Sequence, residues 1–445
     1  MILQFSVSNF RAFRKMQTLN LEASNYDKSL SENCISSDLP GLKNRRWLKA
    51  VAIYGPNASG KTAIIDALKT LTELVKNSAQ TTDPSQPINA IEPFALAEES
   101  ASEPTAFALV FVADNARYEY RLAATRDRVW HESLRAFPTA KAQMWFCRDW
   151  EPEKGAYTWT PAVRSGYQRD EKREEFTLSN ALFLSTAVKL ADKQLEPIFR
   201  WFTQRIHFLD LSAKALLAGQ FSLEQIMRQT PLATGIIRLL QQADLGVSTA
   251  RAKVLDMPKE LREQALRQIP EGMRPTFQVP KMLVPELLHD RSEPGAIPLP
   301  WARESAGTQR LFDLAGPWLD ILEKGYALCV DELETSMHPL LVRELLRVIF
   351  KQERPNGAQL IFTTHNPMLL DLTLLRRDQI WFTEKDKRGE AHFYPMTDYA
   401  PRKGESLIRG YLAGRYGAVP FIPEGLLGSF SEAGIEKLAA TNSDE

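Results

Sequence analysis

Gly55-Pro56-Asn57-Ala58-Ser59-Gly60-Lys61-Thr62 is the stretch of sequence that decides the fold. It follows the apolar run Leu48–Tyr54 and precedes a helical stretch from Ala63 to Lys76. It matches the pattern G-x-x-x-x-G-K-[ST], in which glycines let backbone N–H groups approach phosphates, the lysine reaches the β- and γ-phosphates, and the hydroxyl binds Mg²⁺. A strand, a glycine-rich loop and a helix in this order predict a nucleoside-triphosphate site.

The residues of this loop that we expect to contact the nucleotide share one short segment, and Thr62 is also predicted to bind Mg²⁺. They are Gly55, Asn57, Ala58, Ser59, Gly60, Lys61 and Thr62. A glycine turn with an exposed lysine would have the same composition. The flanking strand and helix favour the phosphate loop.

Two further motifs follow apolar runs in the last third of the chain. Asp331 and Glu332 end the run Tyr326–Val330, and Thr363-Thr364-His365-Asn366 ends the run Gln359–Thr363. Because a parallel sheet presents ligands at the carboxyl ends of its strands, we expect these groups beside the phosphate loop. Asp331 is predicted to hold Mg²⁺ directly or through water, Glu332 to polarise the attacking water, and His365 to sense the γ-phosphate. Seen alone, the acids are equally typical of a solvated strand end, and the histidine of a packed side chain.

A third segment, Arg303–Arg310, lies shortly before the acidic strand and contains Ser305 and Gly307. A serine and a glycine that open a helix can form an anion site, because free N–H groups and the positive end of the helix dipole meet there. On spacing alone, a simple helix N-cap at Ser305 is an equally good interpretation.

Composition bounds the class of protein. The 445 residues are 44% hydrophobic and carry 55 basic and 55 acidic side chains, which allows one large domain or two and gives no net charge that would favour DNA or an anionic membrane. DNA binding is permitted by a local basic groove but not indicated. No long apolar run and no basic leader are present, so we expect no membrane span and a cytoplasmic location. Three scattered cysteines indicate neither disulfides nor a structural zinc site.

The pattern of strands and helices predicts an α/β fold whose nucleotide-binding core is split. Residues 1–100 are predicted to form its first half with the phosphate loop, and 299–445 its second half. Residues 101–165 are predicted to form an antiparallel β subdomain, and 166–298 an inserted helical region that includes Lys259–Gln268. Alternation at Ile2–Asn9 and Thr18–Glu22 predicts paired strands at a sheet edge.

The order of these motifs resembles the ABC ATPase superfamily, in its SMC, RecF and OLD-like branch. Asn57 in the loop, Asn9-Phe10-Arg11-Ala12-Phe13 and Met337-His338-Pro339 are similar to what that branch carries. The resemblance implies an ABC-type P-loop ATPase that uses ATP and Mg²⁺, with Arg11 among the nucleotide contacts. It also implies that Ser305-Ala306-Gly307 is the signature motif, which contacts the γ-phosphate held by the opposite subunit of a head-to-tail homodimer or a higher homo-oligomer.

Four blocks resemble the RloA/AbiL-type ATPases of bacterial abortive-infection and anti-phage operons. They are Glu304–Phe312, Asp331–Glu334, Arg376–Phe382 and Tyr411–Pro420. The resemblance implies a regulatory ATPase that controls a separately encoded effector, with a nuclease as the expected kind and a phage-derived trigger. No nuclease constellation is visible in this chain. For the last block, a surface helix that ends in a glycine and proline turn is the plain structural alternative.

One departure concerns the glutamine with which ABC ATPases sense Mg²⁺ and water. The corresponding run here, Ala181–Thr186, is predicted as a strand and offers Ser185 instead. If no glutamine reaches the metal, hydrolysis should be slow, which suits a switch better than a motor.

Other functions are weaker. A RecF-like ATPase of DNA repair or maintenance would need a basic surface, and its best candidate is the stretch Arg251, Lys253, Lys259, Arg262, Arg267 and Arg274, which is interrupted by acidic residues. The long insertion between Lys61 and Ser305 disfavours a transporter ATPase. No Asn-Lys-x-Asp motif is present to indicate a GTPase.

Overall fold

The computed structural model describes residues 1–160, 166–209, 219–243, 245–255, 282–291, 295–351, 357–399 and 406–420. The strands in these ranges are β1 (Ile2–Ser8), β2 (Gln17–Asn20), β3 (Cys34–Ser36), β4 (Arg46–Leu48), β5 (Ala50–Tyr54), β6 (Thr105–Ala113), β7 (Ala116–Ala124), β8 (Val129–Phe137), β9 (Gln143–Glu151), β10 (Ala156–Trp159), β11 (Ile206–Leu209), β12 (Val247–Leu255), β13 (Met282–Asp290), β14 (Ala296–Leu299), β15 (Ala327–Val330), β16 (Gln359–Thr363), β17 (Ile380–Lys385) and β18 (Ala391–Pro395). The α-helices are α1 (Lys61–Asn77), α2 (Glu171–Glu175), α3 (Phe183–Lys189), α4 (Glu196–Gln204), α5 (Gln220–Met227), α6 (Pro231–Gln242), α7 (Ala306–Lys324), α8 (Pro339–Phe350) and α9 (Leu407–Leu412). None of these described helices combines the length and the apolar composition needed to cross a membrane.

A six-stranded sheet carries the motifs of the nucleotide-binding core. Its order is β11-β15-β16-β5-β17-β18, and each neighbouring pair is parallel except the β17–β18 hairpin. Val330 of β15 lies opposite Phe362 of β16, and Thr363 lies opposite Ile53 of β5. Because these strands run in one direction and in this register, the residues that follow them meet at one edge of the sheet. The predicted α/β fold with a split core is confirmed.

Helix α1 packs its apolar face into the space between two sheets. The buried positions recur at helical spacing, at Ile64, Leu68, Leu71 and Val75. They share one hydrophobic cluster with Val51 and Ile53 of the parallel sheet and with strands of a second, antiparallel sheet. The helix that begins at the phosphate loop is therefore held on both sides by packed side chains.

The antiparallel sheet has seven strands in the order β10-β9-β8-β7-β6-β1-β2. The predicted antiparallel strands between residues 101 and 165 are present. However, β1 and β2, which the sequence placed with the first half of the core, extend this sheet through the pairing of β1 with β6. Five of the seven residues of β1 are buried, and its backbone pairs with β2 on one edge and with β6 on the other, so it is an inner strand of this sheet.

Gln359, at the start of β16, connects the two sheets. Its side-chain amide exchanges two hydrogen bonds with the backbone of Ile2, at 2.7 and 3.0 Å, and donates a third to the carbonyl of Leu48 at 3.2 Å. The residue is 1% exposed. The side chain therefore satisfies backbone hydrogen-bonding groups of Ile2 and Leu48 that water cannot reach.

The run Ala181–Thr186 leads into a helix at Phe183, and its prediction as a strand is wrong. Helix α3 begins at Phe183, and the buried carboxylate of Glu132 accepts the N–H groups of Phe183 at 2.6 Å and of Leu184 at 3.0 Å. A short apolar run does not distinguish a strand from a buried helix, and here an acid on β8 satisfies the free N–H groups of the first turn. Ser185 donates to the carbonyl of Val75 at 2.5 Å, near the C-terminal end of α1, whereas the phosphate loop lies at the N-terminal end. Ser185 is therefore not placed to take the role of the expected glutamine.

The predicted inserted region, 166–298, contains helices and also most of a three-stranded antiparallel sheet, β12-β13-β14, which ends at Leu299 and which the sequence pattern did not indicate. The alanine, lysine and arginine of β12 favour helices, and most of its second half is exposed, so its sequence lacks the alternation of a half-buried strand. Helix α5 packs on α7 through Ser222, whose hydroxyl donates to the carbonyl of Phe312 at 2.7 Å. The predicted helical run Lys259–Gln268 lies outside the described residues.

The block Arg376–Phe382 binds the N-terminal loop, which contains residues 24–29, to the core. The fully buried guanidinium of Arg376 pairs with Asp378 at 2.7 and 2.9 Å, and also donates to the carbonyls of Ser24, Asp27 and Ser29. Gln379 donates to the carbonyl of Ala50 on the central strand at 2.9 Å. The block therefore has a structural explanation in hydrogen bonds that join distant segments.

The block Tyr411–Pro420 also packs on the core, and the alternative of a surface helix is wrong. Helix α9 ends at Leu412, while Tyr411 and Tyr416 are buried and stack against Phe382 of β17 at 5.9 and 6.0 Å between ring centroids. Tyr411 also meets the ring of Tyr54, the residue before the phosphate loop, edge to face at 5.8 Å. This packing places the closing block next to the strand that carries the loop.

We predict that loss of the buried carboxylate of Glu132, which pairs with Arg148 and caps the first turn of α3, strongly destabilises the antiparallel lobe. Both side chains are fully buried, and their nearest charged atoms are 3.0 Å apart. Replacement Glu132→Ala leaves a buried arginine without its counter-charge and should lower the free energy of unfolding by about 3–5 kcal/mol in chemical denaturation.

The matched control is Arg200→Ala, which removes the exposed pair of Arg200 with Glu196 at i, i+4 on α4. Its cost should be about 0.3–0.5 kcal/mol. Equal costs for the two variants would contradict the assignment.

Candidate nucleotide-binding and catalytic site

The loop Gly55–Thr62 turns from β5 into α1 with backbone angles that restrict its residues. Gly60 has φ of 106° and Ala58 has φ of 61°, both in the left-handed region. A Cβ atom at Gly55 would lie 2.5 Å from the hydroxyl of Ser59 and from the carbonyl oxygen of Thr383, so a glycine is required there. The loop has the close-turning backbone that phosphate binding demands.

Lys61 lies at the start of α1 and is buried. Its ammonium donates to the carbonyls of Gly55 at 3.0 Å and Pro56 at 2.9 Å. Burial lowers the pKa of Lys61, and the carboxylates of Asp331, Glu332 and Glu334 oppose that shift. A cation held under the loop and faced by three acids is suited to bind phosphate oxygens.

Thr62, Asp331 and Thr363 form a chain of hydrogen bonds across the edge of the sheet. The hydroxyl of Thr62 donates to Oδ2 of Asp331 at 2.9 Å, and the hydroxyl of Thr363 donates to Oδ1 at 2.5 Å. Hydroxyl and carboxylate oxygens are the ligands that Mg²⁺ prefers. The two residues predicted to bind the metal are therefore adjacent, and their donor set fits Mg²⁺.

Glu332 and His365 face each other beside the hydrogen bonds that join Thr62, Asp331 and Thr363. Oε1 of Glu332 lies 4.0 Å from Nε2 of His365, and their side chains are 53% and 37% exposed. Glu332 has φ of 48°, an unfavourable conformation for a residue with a Cβ, and its N–H donates to the hydroxyl of Thr363 at 2.7 Å. The site thus holds an accessible carboxylate in a constrained position.

Burial is the main cause that lowers the pKa of His365, and the ammonium of Lys61 adds to the effect, while Glu334, Glu332 and Asp331 oppose it. The imidazole pKa therefore lies below its ordinary value of 6.5. The ring is neutral at about pH 7, so it can donate one hydrogen bond and accept another.

Arg11 lies at the mouth of the loop. With Lys61 and Thr62 it lines a cavity of about 430 Å³. Its guanidinium pairs with Glu92 at 2.8 and 3.0 Å and also with Asp66, and the hydrogen bond to Glu92 is the main cause that raises its pKa. The cation is therefore held at the entrance of the predicted nucleotide site.

The remaining loop residues present different groups. Asn57 and Ala58 are exposed. Ser59 is 2% exposed, and its hydroxyl pairs with that of Thr383 on β17 at 2.5 Å. Any contact of Ser59 with a phosphate would therefore come from its backbone.

Ser305 is the N-cap of helix α7, as the plain interpretation predicted. Its hydroxyl accepts the N–H of Thr308 at 3.1 Å, and the residue is exposed. A Cβ atom at Gly307 would lie 2.7 Å from the carbonyl oxygen of Ser336, so the helix start is packed against the turn that follows Glu332. Among the described residues, the cavity at the phosphate loop is not lined by Ser305 or Gly307.

Thr363 and Arg310 are site residues that the sequence analysis did not assign. Arg310 of α7 is buried and donates to the carbonyls of Glu332 at 2.7 Å and Asp331 at 3.4 Å. The sequence position of each residue was a possible clue to its place in the site. Thr363 ends the strand before His365, and Arg310 lies on the helix that Ser305 begins. Neither contact follows from spacing alone, because each joins elements that are distant in sequence.

The phosphate loop, the acidic pair and the parallel sheet define a domain with a P-loop nucleoside-triphosphate-binding fold. A family model described as "AAA domain, putative AbiEii toxin, Type IV TA system" matches residues 50–371, well over half of the chain. The chain belongs to this family.

The chain is also similar to solved structures of SMC heads. The SMC head domain from Thermotoga maritima matches with 13% identity and a TM-score of 0.36, over 88% of this chain and 98% of that chain. An Smc head bound to the C-terminal winged-helix domain of ScpA matches with 13% identity and a TM-score of 0.39, over 92% and 99%. An Smc head with an extended coiled coil, bound to the C-terminal domain of ScpA derived from Pyrococcus furiosus, matches with 11% identity and a TM-score of 0.38, over 93% and 98%. Comparison with curated proteins gives no match.

We predict that Lys61→Ala weakens binding of Mg-ATP by at least about 100-fold, because the cation under the loop is lost. Fluorescent-nucleotide titration measures this. Lys76→Ala, at the exposed end of the same helix, is the control and should bind like wild type. Binding that survives Lys61→Ala unchanged would contradict this assignment of the site.

Proposed function

We propose that the protein is an ATP-binding and ATP-hydrolysing switch that works as a homodimer with composite sites. The observation that carries the proposal is the meeting of five groups at one sheet edge: the loop lysine, the Thr62–Asp331 pair and the Glu332–His365 pair. Phosphoryl transfer needs positioning and charge stabilisation, and these groups can supply both.

Each residue has a distinct part in the proposed reaction. Lys61 binds the β- and γ-phosphate oxygens, and Glu332 orients and polarises the attacking water. His365, neutral at about pH 7, donates a hydrogen bond toward the γ-phosphate. Mg²⁺, held by Thr62 and Asp331, would neutralise phosphate charge.

The composite nature of the site is supported by the start of α7. Ser305 and Ala306 are exposed, and the helix begins there with free N–H groups and the positive end of its dipole. Such an end can contact an anion that another subunit holds. We infer that Ser305 and Gly307 complete the site of the partner subunit.

We further propose a regulatory role in anti-phage defence. The family description names a toxin and a toxin–antitoxin system, and the blocks at Arg376 and Tyr411 are similar to those of RloA/AbiL-type ATPases. In this role, the ATP-dependent state of a cytoplasmic dimer controls a separately encoded effector, with a nuclease as the expected kind. A phage-derived molecule would act as the trigger, and slow turnover would suit such a switch.

A RecF-like DNA-binding role has less support. Arg251 and Lys253, members of the basic stretch, both face Glu286 on the neighbouring strand, with Lys253 at 3.7 Å. This carboxylate offsets their charge on the exposed sheet. The other four members lie outside the described residues. If duplex DNA accelerates ATP turnover severalfold, the DNA-binding role replaces the defence switch.

We predict that inactive subunits complement each other. Lys61→Ala removes a site's own phosphate cation, whereas Ser305→Arg blocks only the site of the partner. After subunit exchange, a mixture should recover up to about one quarter of wild-type turnover, since a quarter of random pairings of sites is intact. A mixture with no activity, from variants that retain wild-type melting temperatures, would contradict the shared site.

The lowered pKa of His365 generates a pH prediction. Because the pKa of His365 lies below its ordinary value of 6.5, the neutral ring prevails at and above about pH 7. Turnover should therefore be level between about pH 7 and 8 and fall only below about pH 6.5. Measured pH–rate profiles should lose this acid-dependent fall in His365→Asn. A decline that begins above about pH 7 would show that another group controls the reaction.

A further inference from the structure

Glu334 lies two residues beyond Glu332, in the turn between β15 and α8. Oε1 of its carboxylate accepts the backbone N–H of His365 at 2.5 Å. The same turn is fastened to the end of β16 by two other bonds, from the N–H of Glu332 to the hydroxyl of Thr363 at 2.7 Å and from the N–H of Leu333 to the carbonyl of Thr363 at 3.1 Å. Glu334 is therefore the side chain that extends this attachment to the residue whose imidazole faces Glu332.

The second carboxylate oxygen of Glu334 is buried and has no hydrogen-bond partner among the described residues. A buried anionic oxygen without a partner is costly, so the site keeps Glu334 at the expense of stability. The charge of Glu334 is among the three that oppose the lowering of the Lys61 pKa. Its location thus connects the phosphate cation, the histidine and the acidic turn.

We propose that Glu334 is a positioning residue: it holds the backbone of His365 so that the imidazole stays beside Glu332 at the γ-phosphate end of the site. The inference rests on the proposed ATPase function. It separates the two neighbouring glutamates, with Glu332 acting on the attacking water and Glu334 acting through His365. The hydrogen bonds of Thr62 and Asp331 do not include Glu334, and the ammonium of Lys61 is held by the carbonyls of Gly55 and Pro56, so loss of the Glu334 side chain should leave nucleotide binding largely intact.

The test compares Glu334→Ala with Glu334→Gln, which keeps an oxygen that can accept the N–H of His365. Glu334→Ala should lower kcat by about 10-fold or more while the Kd for Mg-ATP changes by less than about 3-fold. Glu334→Gln should recover most of the loss. Glu344→Ala, an exposed acid on α8 that pairs only with Arg347 among the described residues, is the matched control and should behave like wild type.

A second measurement does not depend on turnover. Hydrogen–deuterium exchange without nucleotide should be faster in Glu334→Ala for a peptide that spans 361–367, because the N–H of His365 loses its acceptor. The peptide should remain protected in Glu334→Gln and in Glu344→Ala. Melting temperatures establish that each variant is folded.

The outcomes separate this inference from the proposed function. Unchanged kcat and unchanged exchange in Glu334→Ala would overturn the positioning role, and so would a loss of ATP affinity that matches the loss of kcat. If wild type binds ATP without hydrolysing it, the proposed function fails, and the exchange result alone decides the role of Glu334: faster exchange supports it and unchanged exchange overturns it.

Discussion

The parallel register of β15, β16 and β5 is the constraint on which the site depends. It places Asp331 and Thr363 beside the phosphate loop although they are separated from it by about two thirds of the chain. The hydroxyl of Thr363 then links the ends of β16 and β15 by hydrogen bonds, because it donates to Asp331 and accepts the N–H of Glu332. A shift of one residue between these strands would point the side chains to opposite faces and dismantle the site.

Because the core is split, polar side chains must hold distant segments together. Gln359 joins β16 to β1, Gln379 joins β17 to the central strand, and Arg376 gathers the carbonyls of the N-terminal loop. Each is nearly or fully buried and bonds to backbone groups of a distant segment, and Arg376 also pairs with Asp378, which makes each contribution specific to one arrangement. The closing block adds Tyr411 against Tyr54, so the C-terminal end of the described chain also supports the strand before the loop.

Sequence motifs were sufficient for predictions that depend only on the local order of strand, loop and helix. The phosphate loop, the acidic pair and the histidine follow buried strands, and a parallel sheet makes their meeting predictable. The sequence failed where tertiary contacts decide the local structure. Phe183–Lys189 is a helix, and Glu132, about fifty residues earlier, caps its first turn.

The same reasoning explains the other omissions. The strand β12 lacks a half-buried alternation, and β1 and β2 join the antiparallel sheet through a partner about a hundred residues away. Roles for Arg310 and Glu334 were not predictable, because each acts through a backbone group on another element. Motifs thus sufficed to propose the phosphate loop, the acidic pair and the histidine, while the contacts that support them required the fold.

The most direct test of the account is the mass of Glu332→Gln in solution, measured by light scattering with and without Mg-ATP. Loss of the carboxylate proposed to activate water should leave binding intact, so the variant should double in mass with Mg-ATP and return to its original mass when the nucleotide is removed, while Lys61→Ala should not respond. A mass that is the same with and without Mg-ATP would contradict the composite ATP site.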